Sequence, residues 1–141
     1  MKKQFLARCP IEGDTDEWVE KNVLPQLEGL EETNMNYSYM LKNFMEWYKE
    51  NKENSDVIVH MGLPVEARLF LDAHKYGFIG DWDAPYPLID ISAFPEISGS
   101  ADTYNKDHGI QVPEFTGGTH NPLYDSVAAA LAYRDVLRNW K

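Results

Sequence analysis

Apolar residues recur at helical spacing in several stretches of the chain and form short unbroken runs in others, and this alternation predicts helices packed on a small sheet. From Asn36 to Asn51, Met40, Leu41, Phe44, Trp47 and Tyr48 make one apolar stripe, and the charged run Lys49 to Asn54 is its solvated exit. Asp56 to Met61 is β-branched, bounded by polar residues and by Gly62, and reads as a buried strand. Pro64 then stands where a first helical residue would, and Val65, Leu69, Phe70, Ala73 and Tyr76 continue as a helix to Gly77. Strand, tight turn and helix make half of a parallel crossover unit.

The same patterning covers the rest of the chain. Lys3 to Arg8 predicts a short strand and Leu88 to Ser92 a second buried one. Asp14 with Glu17 forms a capping-box pattern ahead of Trp18, Val19, Val23, Leu24 and Leu27, a helix that ends at Gly29 and that Pro25 shortens or kinks. Ala101 to His108 predicts a short helix stopped by Gly109. The last helix is expected from Pro122 to Trp140, with Leu123, Val127, Ala130, Leu131 and Leu137 facing inward. The expected fold class is α/β, a small mixed sheet flanked by helices.

Composition fits that expectation with one domain over residues 1–141: 43% of the residues are hydrophobic and 13% aromatic, enough for a core. The formal charge of −10 argues against a sequence-independent nucleic-acid coat protein, because such binding rests on Lys and Arg releasing counterions. Divalent cations would change the sign of that statement, since carboxylates around Mg²⁺ or Mn²⁺ bind phosphate through the ion. No apolar run approaches the roughly 18 residues of a membrane helix, and the expected setting is cytoplasmic, with no membrane partner. The single cysteine, Cys9, has no partner for an internal disulfide and no His or Asp pattern beside it to make it a nucleophile.

His120-Asn121-Pro122-Leu123-Tyr124-Asp125 is the sharpest chemical pattern, a loop histidine followed by an acid in the first turns of the last helix. Both side chains are expected near the carboxyl end of the sheet, where α/β sites sit. Glu66 falls in the first turn of the helix after the Asp56 to Met61 strand, in a corresponding place. Each acid on its own also suits the positive end of its helix. His60, His74 and His108 show no metal-ligand spacing with one another and read as structural or exposed. The loop Asp81 to Pro87 reads as packed by its own aromatics, with base stacking the alternative, and Thr116 to Thr119 as a flexible approach to His120 or a plain turn.

Together, Val57 to Phe70 and His120 to Tyr133 resemble the DEDDh group of 3′-to-5′ exonucleases, in particular its short bacterial and phage exoribonuclease-like members. Asp16 to Pro25 and Pro87 to Ser92 extend the resemblance. It implies a ribonuclease-H-like fold, a single-stranded 3′ end as substrate and a two-metal site using Mg²⁺ or Mn²⁺. By that resemblance Glu66 and Asp125 are metal ligands and His120 takes the proton of the attacking water. The family's first motif, an Asp-x-Glu on a leading strand, has no counterpart ahead of Asp14, so the chain is expected to lack the first hairpin and two ligands. The sheet then has an open edge, to be covered by a homo-oligomer, by a protein partner or by a rearranged sheet. An isolated chain is expected to hydrolyse slowly or not at all. The alternatives are a catalytically inactive, phage-derived binding or regulatory relative and an acidic protein engaging basic surfaces.

Overall fold

The computed structural model describes residues 3–114 and 120–140. It is an α/β arrangement dominated by helices: α1 (Glu17–Asn22), α2 (Leu24–Leu27), α3 (Tyr37–Asn51), β1 (Val57–Val59), α4 (Val65–Lys75), β2 (Leu88–Asp90), α5 (Ala101–Asp107) and α6 (Pro122–Arg138). A short 3₁₀ turn, Ile91–Ala93, follows β2. The chain gathers into two compact units, one of Met1–Val57 and Leu63–Tyr86, the other of Ile58–Gly62 and Pro87–Lys141. Among the described residues no helix is long and apolar enough to cross a membrane.

In the first unit α3 begins where Asn36 accepts the Tyr39 N–H at 2.9 Å, so the expected boundaries hold. Its buried stripe is Leu41, Met45 and Tyr48, packed with Ala73 of α4 and with Ile79. Tyr48 packs edge-on against Phe70, ring centroids 5.1 Å apart, and its hydroxyl donates to the Asp83 carbonyl at 2.7 Å. Tyr37 ties α3 to α4 by donating to Asp72 Oδ2 at 2.8 Å. Burial and the Asp72 carboxylate push the Tyr37 hydroxyl far above its ordinary pKa, so it stays a donor.

The beginning of the chain departs from the expected pattern. Lys3 to Arg8 is not a strand. The Arg8 carbonyl accepts the N–H groups of Thr33 and Asn34, and its guanidinium Nη1 donates to the carbonyls of Leu27 and Leu30 at 2.6 and 3.0 Å. Those carbonyls lie at and just beyond the end of α2, so the segment holds a helix end instead of joining a ladder. Phe5 is the apolar anchor of this segment, its ring 5.5 Å from Phe44 and 5.9 Å from Trp47. Asp16, not Asp14, caps α1, accepting from Trp18 and Val19 at 2.9 and 3.1 Å. Pro25 divides the expected helix in two, α1 and α2, and neither half has a buried residue.

In the second unit β1 and β2 form a two-stranded parallel sheet, smaller than the mixed sheet expected, with no third strand among the described residues. Both strands are three residues long because each is stopped early: Met61 turns to a φ of 54° after β1, and Asp90 opens the 3₁₀ turn after β2. The core is Ile91, Ile97, Ala101, Tyr104, Ala129, Ala132 and Val136. Small residues at helical spacing on α6, Ala128, Ala129 and Ala132, face inward with Val127 and Val136. Leu137, expected inside, is 47% exposed, because burying alanines lets α5 and α6 approach closely. Asn105 on α5 is buried and donates to the Ala128 carbonyl at 3.0 Å, and Tyr104 donates to Asp135 at 2.8 Å.

Candidate functional site

His120 and Asp125 are brought together at the start of α6. Asn121 caps this helix by accepting the Leu123 N–H at 3.0 Å, and Pro122 occupies its first turn. His120, just ahead of the cap, has a φ of 70°, a left-handed conformation that is uncommon for a residue with a Cβ. That conformation aims its backbone N–H at Asp125 Oδ1, at 3.2 Å. The Asp125 N–H in turn donates to the Asn121 carbonyl at 3.0 Å.

Asp125 is an exposed residue whose carboxyl is nevertheless crowded. Desolvation raises its pKa above the ordinary 3.8, the His120 N–H and the charge on His120 and His60 pull it back, and Asp102 pushes it further up. His60, Asp102 and His120 therefore all lie within electrostatic reach of Asp125 inside one unit. Asp102 accepts the Tyr124 hydroxyl at 3.0 Å. The Nε2 of His60 is buried and has no hydrogen-bond partner among the described residues.

Because the folded-state pKa of Asp125 is raised, its ionised form is disfavoured in the folded protein at neutral pH, and the penalty disappears as the pH falls below 3.8. Asp125→Asn keeps an oxygen for the His120 N–H and removes the charge. The variant is expected to melt at or above the wild-type temperature at pH 7, with the difference shrinking at pH 3. Thermal unfolding at both pH values checks this, and a melting temperature several degrees below wild type at pH 7 would contradict it.

Glu66 lies in the first turn of α4, which has no side-chain cap, so an acid there complements the helix dipole. It belongs to the first unit and His120 and Asp125 to the second. Among the described residues no three His, Cys, Asp or Glu side chains form a group that could hold a metal ion. Thr116 to Thr119 lie outside the described residues.

Two acids escaped the sequence reading, and His60 was read there only as structural or exposed. Asp90 ends β2 and accepts four donors: the Met61, Gly62 and Ser92 N–H groups at 3.0, 3.1 and 3.0 Å and the Ser92 hydroxyl at 2.6 Å. Burial alone would raise its pKa, but those hydrogen bonds hold it below the ordinary value. The signal for it was an acid two residues before a serine at the end of a strand, an Asx-turn pattern. The signal for His60 was its place directly after β1, a half-buried strand, at the strand's carboxyl end. Asp102 carried no local signal.

The remaining candidates have structural partners. His74 pairs with Asp81, and His108 bonds the Tyr104 carbonyl through Nδ1 at 2.8 Å. In the Asp81 to Pro87 loop, Trp82 and Tyr86 approach within 6.4 Å, but Trp82 is 87% exposed, so the loop is held by polar contacts such as Gly80 N–H to Asp83 at 2.7 Å. Burial and Glu12 raise the Cys9 thiol pKa, which keeps it protonated and a poor nucleophile. Comparison with known proteins finds no family model, curated protein or solved structure that matches the chain.

Proposed function

We propose that this protein is a 3′-to-5′ exonuclease-like chain of ribonuclease-H-like ancestry that contributes part of a metal-dependent nucleic-acid-hydrolysing site. The observation that carries the reading is the His120–Asp125 pair, in which a histidine is kept in a left-handed conformation and bonded to a helix-start carboxylate. Uncommon backbone conformations cost stability and concentrate where a side chain must be aimed. In this reading Asp125 and Glu66 are the carboxylates offered to Mg²⁺ or Mn²⁺, His120 accepts a proton from water, and a single-stranded 3′ end is the substrate. Asp102 and His60, within electrostatic reach of Asp125, belong to the same surroundings.

The described residues do not by themselves fit a complete metal site, because no three potential ligands converge. Further ligands then come from a second copy or a protein partner that covers the sheet edge, and the isolated chain is slow or silent. That same observation favours a second reading, a catalytically inactive relative that binds or regulates. A cytoplasmic setting belongs to this reading as part of the proposal.

Digestion of end-labelled single-stranded RNA and DNA with Mn²⁺ or Mg²⁺ tests the proposal. The expected result is slow, metal-dependent trimming from the 3′ end that falls at least about a hundredfold in both His120→Ala and Asp125→Ala, the scale of losing a general base or a ligand. Trimming unaffected by either substitution would overturn it. Binding of single strands without trimming would select the second reading.

A further inference from the structure

The second unit contains a cavity of about 530 Å³ that shares no residue with the His120–Asp125 pair and is lined by Glu96, Tyr104, His108, Val136, Asn139 and Trp140. Three of these six side chains are aromatic, one is a carboxylate, and none is Lys or Arg. The rings are organised. Tyr104 and His108 stack face to face with centroids 3.9 Å apart and planes 16° from parallel, one turn apart on and just beyond α5. Tyr104 is only 6% exposed and donates to Asp135 Oδ2 at 2.8 Å, so its ring is fixed. The phenol donates a hydrogen bond to the carboxylate and the His108 ring covers one of its faces, so the two rings form a fixed wall of the cavity.

Trp140 completes the wall from the end of α6. It is 62% exposed, and the ring of Phe94 lies 6.3 Å away. Indole offers the strongest π face for a cation among the natural side chains. Glu96 is exposed, lines the same cavity and acts on the Tyr104 hydroxyl, which burial, Asp135 and Glu96 together push up to about 12. The phenol therefore stays protonated and bonded to Asp135 throughout the physiological range.

The lining selects its ligand by exclusion. Anions meet the Glu96 carboxylate and π faces. Hard divalent ions need six or so oxygen ligands, and Glu96 with Asn139 does not approach that number. A strongly hydrated ammonium loses more on leaving water than rings return. A weakly hydrated organic cation loses little and gains from each face. We propose that this cavity binds a small quaternary ammonium ion of the choline type, with Trp140 and the Tyr104–His108 stack as its π walls and Glu96 as its counter-charge. The proposal does not rest on the nuclease reading.

The test is a titration of the full-length protein with choline chloride, followed by the Trp140 indole N–H resonance, which is assigned by its loss in Trp140→Phe. The matched arm uses 3,3-dimethylbutan-1-ol, which has the same bulk and no charge, at equal ionic strength. The expected result is a saturable shift with choline and binding of the neutral alcohol about tenfold weaker, the scale of a cation on several rings. Glu96→Gln, at an exposed position, should weaken choline binding about threefold, the scale of one partly exposed charge pair. Trp140→Ala, followed at the His108 ring resonance, should weaken it about tenfold. Equal affinity for the neutral alcohol, unchanged affinity in Glu96→Gln, or no saturable shift up to about 50 mM choline would each overturn the proposal.

Discussion

Replacing Asp90 by alanine is expected to lower the unfolding free energy by about 2–3 kcal/mol, the scale of several hydrogen bonds to one carboxylate. The carboxylate sits at the end of β2 and accepts N–H groups from Met61 and Gly62, which follow β1, as well as Ser92 N–H and hydroxyl donors. Gly62 is buried, so its N–H would lose its partner away from water. The pH dependence has a definite sign. The folded-state pKa is lowered, so the stabilisation is fully present above the ordinary carboxylate value of 3.8 and fades as the pH falls through the folded value below it. Urea unfolding of wild type and Asp90→Ala at pH 7 and at pH 2.5 should therefore show a large difference at the first pH and a smaller one at the second. A difference under about 0.5 kcal/mol at pH 7, the size of an ordinary surface change, would contradict the clamp.

Gly62→Ala is expected to cost about 1–3 kcal/mol through overpacking. A Cβ at position 62 would lie 2.5 Å from Val59 Cγ2 and 2.8 Å from Val59 Cβ, inside van der Waals contact. Conformational freedom is not the reason for glycine here, since Gly62 is not among the residues with positive φ; the reason is space. The consequence can be isolated. Val59→Ala removes Cγ2, the nearest atom, but keeps the Cβ at 2.8 Å, so Gly62→Ala should cost less in that background without becoming neutral, with a coupling energy of about 1 kcal/mol between neighbours. Additive losses would show that the two side chains do not collide. Asp90 and Gly62 act on the segment that directly follows His60, so together they fix the backbone that carries this residue.

Long periodic elements were legible in the sequence and short ones were not. The α3 stripe from about Asn36, the α4 helix after Pro64 and the start of α6 at Pro122 are local matters of spacing and chain punctuation, and the structure has them within a residue or two. Lys3 to Arg8 has a strand's composition, but its hydrogen bonds go to Thr33, Asn34 and the end of α2, a tertiary choice with no local signature. On α6 Leu123, Val127, Ala130, Leu131 and Leu137 were expected inside; Val127 is buried, but Leu137 is exposed and Ala128, Ala129, Ala132 and Val136 are buried instead, because close helix contact outweighs the area gained from Leu137. At the candidate site the His120–Asp125 spacing placed both groups at one helix start, as found. Asp102 and His60 come near Asp125 only through folding of distant segments, so neither spacing nor residue type announced them.

The central claim is the proposal that His120 and Asp125 act at one divalent ion. Paramagnetic broadening by Mn²⁺ in an amide-resolved spectrum of the full chain tests it most directly, because broadening reports distance to the ion whatever the turnover. At substoichiometric Mn²⁺ the resonances of residues 120 and 125 should broaden together, and the effect should vanish in Asp125→Asn. Broadening spread over other acidic stretches, such as Asp14 to Glu20, or broadening at residue 120 that survives the substitution, would contradict the claim.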